Sequence, residues 1–193
     1  MFINNWKKEV CTIPNLLSLF RLALIPVYMS VYLRADETAD FYLAGGILAV
    51  SCLTDLADGF IARTFDMISK VGKWLDPLAD KATQLALMVC LSVRYAVLRP
   101  VLCLFIIKES VQLFASLYHL HRGKMLSGAL TAGKVCTAVL FISLTALVLF
   151  PRLPADAAAL VAAIDFSFLL YAFLCYLLAF FSKEQDSRWE NTA

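Results

Sequence analysis

Residues 55–80 read DLADGFIARTFDMISKVGKWLDPLAD, and five of the ten aspartates of this 193-residue chain fall inside these 26 positions. Apolar stretches long enough to enter a membrane flank them on both sides. Asp55 and Asp58 are three apart, and Asp76 and Asp80 are four apart, so each pair shares one face of a helix. The short connection between the pairs, with Gly59 and Gly72 in it, makes the two helices antiparallel neighbours. Four carboxylates then converge on one pocket at the inner edge of the bilayer, where charge is expensive to bury.

Hydrophobic residues make up 61% of the chain, against about 45–50% in soluble domains, and the mean hydropathy is +0.76. The expected fold is an all-α membrane protein, since a helical span needs about 20 apolar residues and six such runs occur, at 16–33, 41–62, 77–97, 100–120, 131–150 and 160–181. Pro14, Arg99-Pro100, Pro151 and Pro154 punctuate these runs. The first run has no convincing small-residue cleavage site behind it, so it is expected to stay as a span. A single membrane domain covers 1–193, with 1–13 as a candidate interfacial segment carrying Phe2, Trp6, Lys7 and Lys8. Residues 182–193 form a polar tail.

Lys7 and Lys8, then Arg63, Lys70 and Lys73, then Arg122 and Lys124, then Lys183 and Arg188 lie in alternate connections. The intervening connections hold only Arg34, then Arg94 and Arg99, then Arg152. The positive-inside rule puts both termini and a polar, aspartate-lined cavity on the cytoplasmic side. A net charge of +2 is too small to imply nucleic-acid binding. The six cysteines are scattered without a CxxC pair and read as small core residues. Trp6, Trp74, Tyr28, Tyr32 and Tyr95 are expected as interface anchors, and His119 and His121 as interfacial loop residues.

Unpaired, four clustered acids repel one another. Hard divalent cations relieve this, and magnesium or manganese, which favour oxygen donors, also engage phosphates. Two metals about 4 Å apart, bridged by carboxylates, form a clamp for displacement at phosphorus. The bland reading is an interfacial ion-pair network in which Arg63, Lys73 and Lys81 neutralise the acids. Gly59 argues against it, because a helical glycine after Asp58 costs up to about 1 kcal/mol relative to alanine. That loss is easier to understand where a phosphate or a base must approach the backbone, and Ala62 keeps the same face shallow. Asp66 lies outside both spacings and reads as a solvated loop residue.

In order, the stretch is Asp55-x2-Asp58-Gly59-x2-Ala62-Arg63-x8-Gly72-x3-Asp76-x3-Asp80. It resembles the signature of the CDP-alcohol phosphatidyltransferases at all eight fixed positions. The resemblance implies transfer of a phosphatidyl group from a CDP-linked lipid to an alcohol, with release of CMP. It implies two divalent cations, Mg2+ or Mn2+, held by Asp55, Asp58, Asp76 and Asp80, with Asp80 also the general base. Gly59, Ala62, Arg63 and Gly72 would bind the CDP end of CDP-diacylglycerol, and the protein would be a homodimer among membrane lipids.

IPNLLSLFRL, WLDPLADK and AGKVCTAV are similar to stretches of bacterial phosphatidylglycerophosphate synthases. This implies a bacterial inner-membrane protein with glycerol 3-phosphate as acceptor, whose phosphate needs further cations. Arg21, Lys108 and Lys134 are the candidates, the first two being charges inside apolar runs. Those synthases usually carry Arg-Glu where this chain has Lys108-Glu109, and often a second lysine where it has Cys136, and lysine lacks the bidentate fork of arginine. A cardiolipin synthase of the same family, with phosphatidylglycerol as acceptor, is the alternative. Two other classes make different demands. An intramembrane prenyltransferase needs two acid motifs on well-separated helix pairs. A small divalent-cation transporter needs acids near the bilayer centre and a path across.

Overall fold

The structure, a computed structural model, describes residues 12–64, 72–121 and 130–190. Every regular element among them is helical: α1 (Ile13–Leu33), α2 (Thr38–Thr64), α3 (Gly72–Arg94), a 3-10 turn (Ala96–Leu98), α4 (Arg99–His121), α5 (Leu130–Leu149) and α6 (Ala155–Glu190). The six helices coincide with the six apolar runs. Three are long and apolar enough to cross a membrane, over Pro14–Leu33, Thr38–Asp58 and Ala155–Leu178. The readings made for the N-terminal segment, Asp66 and the 122–129 connection lie outside the described residues.

The chain divides into two compact units. The first comprises residues 1–91 with 148–151, and the second comprises 92–147 with 152–193. In the first, Pro14 starts α1, where its missing N–H costs nothing. Along α1 the buried positions Asn15, Ser18, Arg21, Tyr28 and Tyr32 follow helical spacing, and on α2 Phe41, Ala44, Leu48, Ser51 and Asp58 do the same. Both stripes are half apolar and half polar, in opposite order. Antiparallel packing of α1 on α2 therefore matches like with like. Tyr32 meets Phe41 edge-on at 5.4 Å between ring centroids, while Ser18 and Arg21 reach the acidic end of α2.

This packing corrects one expectation. Tyr28 and Tyr32 are buried and stack at 5.8 Å, so they are core residues of the helix pair and not interface anchors. Cys90 and Cys136 are buried, as read from the sequence, but Cys103 is exposed.

In the second unit, α6 buries Ala158, Ala162, Asp165, Leu169, Ala172 and Tyr176, a four-three alternation that makes a narrow packing seam. α4 packs on α6, where the Tyr176 hydroxyl donates to the Gln112 carbonyl at 3.3 Å. Between α5 and α6 the Ser143 hydroxyl lies 2.6 and 2.8 Å from the two oxygens of the fully buried Asp165 carboxylate.

Candidate active site

Three helices of the first unit build the site. The last turns of α2 carry Asp55 and Asp58, the first turns of α3 carry Asp76 and Asp80, and the first turns of α1 bring Ser18 and Arg21 against both. Arg21 is 3% exposed, and its fork is shared among three carboxylates. Nη1 lies 2.5 Å from Asp55 Oδ1 and also pairs with Asp80 Oδ1, and Nη2 lies 3.0 Å from Asp58 Oδ2. The Ser18 hydroxyl is 2.6 Å from Asp76 Oδ1, 3.3 Å from Asp58 Oδ2 and 3.1 Å from the Pro14 carbonyl. It has one proton to give, and the shortest contact assigns it to Asp76.

The spacing argument thus holds: the two acid pairs meet in one cluster. Access within the cluster is uneven. Asp58 is buried, whereas the Asp55 and Asp80 side chains keep 44% and 50% of their surface. An incoming ligand would reach these two first. Among the described residues one guanidinium serves three of the four carboxylates. Among the described residues no three His, Cys, Asp or Glu side chains form a ready-made metal cage, because the acids are turned on Arg21. The donor set is nonetheless all carboxylate oxygen, which suits a hard divalent cation.

Other expected site residues are distributed as follows. Gly59, Ala62 and Arg63 lie in the last two turns of α2 and Gly72 opens α3; the side chains of Ala62 and Arg63 are outside the description. Arg21, expected at the acceptor phosphate, stands in the acid cluster. In the second unit Lys108 is buried and its Nζ donates to Glu109 Oε1 at 2.7 Å, while Lys134 is exposed on α5. Sequence reasoning missed Ser18, Asn15 and Asp165. The signal was present for the first two, since polar residues at 15, 18 and 21 mark one face of an otherwise apolar helix. For Asp165 it was an acid near the middle of a 24-residue apolar span.

A sequence profile of the family described as CDP-alcohol phosphatidyltransferase matches residues 11–181. The chain belongs to this family. Cardiolipin synthase (CMP-forming) of Rattus norvegicus is 46% identical over 110 residues, covering 56% of this chain and 34% of that protein. The CDP-diacylglycerol–glycerol-3-phosphate 3-phosphatidyltransferases of Bacillus subtilis and Escherichia coli are 38% and 39% identical over 90 and 83 residues. These matches cover 41% and 43% of this chain, and 47% and 45% of the relatives. The chain therefore spans between a third and a half of the length of these relatives. Membership sets aside the prenyltransferase and transporter readings.

Proposed function

We propose that this CDP-alcohol phosphatidyltransferase moves a phosphatidyl group from CDP-diacylglycerol to glycerol 3-phosphate and releases CMP. The observation that carries the reading is the convergence of Asp55, Asp58, Asp76 and Asp80 in one cluster within a family-matched chain. The acceptor hydroxyl oxygen attacks the phosphorus that bears diacylglycerol. The bond from that phosphorus to the bridging oxygen breaks, CMP leaves with the electron pair, and Asp80 takes the acceptor's proton. Asp80 suits this role because half of its side-chain surface is open.

Two divalent cations, Mg2+ or Mn2+, held by the four aspartates, would supply Lewis-acid stabilisation of the charge on the phosphoryl oxygens. Gly59, Ala62, Arg63 and Gly72 bind the CDP end, and Lys134 and Lys108 contribute to binding the acceptor phosphate. All six helices span a bacterial inner membrane as one domain, the cavity and both termini face the cytoplasm, and the protein works as a homodimer. The arginine and lysine distribution supports the orientation; the dimer is carried by the family resemblance and is tested by the mass of the detergent-free particle.

A second reading takes phosphatidylglycerol as acceptor. The 46% identity to a cardiolipin synthase over 110 residues favours it. One assay separates the two. Purified protein receives CDP-diacylglycerol and Mn2+ or Mg2+ with either acceptor, and CMP is measured. Release with glycerol 3-phosphate alone supports the first reading, release with phosphatidylglycerol alone supports the second, and release with neither overturns both.

A further inference from the structure

Arg21 is the one cation on which three of the four aspartates converge among the described residues, and its own hydrogen bonding is incomplete. Its two terminal nitrogens serve Asp55, Asp58 and Asp80, but the buried Nε has no acceptor among the described residues. A permanent structural ion pair in a buried site normally satisfies all of its donors, because an orphaned one costs free energy. We propose that Arg21 is an internal counter-cation, which holds the acid cluster together until divalent metal arrives and is displaced by it. The inference rests on the metal-dependent reading above and names a positioning residue within it.

A guanidinium and a divalent ion seek the same carboxylate oxygens. Asp55 Oδ1, Asp58 Oδ2 and Asp80 Oδ1 cannot be fully committed to both. The arrangement solves a folding problem, since four acids at the end of a helix pair would repel in any metal-free interval. It also sets the metal affinity, because each ion must displace a charge already in place. Ser18 has a complementary part, with its hydroxyl holding Asp76, the one acid that Arg21 does not pair with in the structure.

The test uses the full-length protein in nanodiscs and Mn2+ alone, titrated by the electron paramagnetic resonance signal of the free ion. Competition predicts that Arg21→Gln binds Mn2+ at least about tenfold more tightly than the unaltered protein, about 1.4 kcal/mol. Arg21→Lys, which keeps a charge but loses the fork, falls between them. In EDTA the melting temperature of Arg21→Gln drops below that of the parent, and Mn2+ restores it by a larger increment. Damage to the fold could only weaken metal binding, so tightening distinguishes competition from a purely structural role. If Arg21→Gln fails to fold, the lysine variant decides on its own. Equal or weaker Mn2+ binding in the folded variants overturns the counter-cation inference and leaves the metal reading standing. Absence of Mn2+ binding in the parent and the variants overturns the metal reading itself.

Discussion

At the scale of the residue, the aspartates should separate by what a substitution removes. Asp76 is gripped by Ser18 and Asp55 by Arg21, so Asp55→Asn and Asp76→Asn are expected to weaken Mn2+ and CDP-diacylglycerol binding together. Asp80→Asn should bind the lipid near-normally at saturating Mn2+ and lose about 10²–10⁴-fold in kcat, the usual loss for a general base. Near-normal single-turnover rates in Asp80→Asn would remove its assignment as the base. Lys134 is exposed, and Lys134→Ala should raise KM for glycerol 3-phosphate more than for CDP-diacylglycerol. A charge-assisted hydrogen bond made equally in ground and transition states accounts for about 1.5–3 kcal/mol and is read chiefly in KM. An unchanged KM would shift weight to phosphatidylglycerol as acceptor. The acids were legible in the sequence because spacings of three and four fix a shared helix face. The partner of Arg21 was not, since spacing along α1 says which way a side chain points and nothing about which helix stands there.

At the scale of the element, helix positions were readable from apolar length and proline punctuation, and the structure adds which face is buried. α2 carries two adjacent glycines in different surroundings. A Cβ at Gly46 meets nothing within 4 Å, whereas one at Gly45 would lie 2.9 Å from Leu149 Cδ2. Gly46→Ala should therefore gain up to about 1 kcal/mol from helix propensity, while Gly45→Ala must first displace the leucine methyl and gains less. Differential scanning fluorimetry in one detergent tests the order, and a Gly45→Ala variant more stable than Gly46→Ala contradicts it. Asp165 makes the opposite case, a polar group that no periodicity argument explains. An amide of the same shape still accepts from Ser143 and carries no charge into the α5–α6 seam, so Asp165→Asn should hold or raise the melting temperature. Asp165→Ala opens a cavity and frees the Ser143 hydroxyl from its partner, at a cost of about 1–3 kcal/mol.

At the scale of the whole molecule, the two termini report whether the number of crossings is odd or even. Among the described residues three helices are long and apolar enough to cross, and an odd number of crossings would leave the termini on opposite sides. Of the other helices, α3 carries Asp76, Asp80 and Lys81 and α4 carries Lys108 and Glu109, while α5 is apolar over the shorter stretch Gly133–Leu149. Ionisable residues inside spans mark polar cavities, which a hydropathy scale penalises. Six crossings return the chain to its starting side, in agreement with the lysine and arginine distribution. Single cysteines placed on a cysteine-free background at Lys7, Glu37 and Asp186 would report this through a membrane-impermeant maleimide applied to intact cells. The six-span arrangement predicts that position 37 is labelled, and that 7 and 186 are labelled only after permeabilisation. Labelling of 7 and 186 on opposite sides would exclude any even number of crossings. It would then reopen the cytoplasmic placement of the acid cluster, because that placement follows from the end of the second crossing.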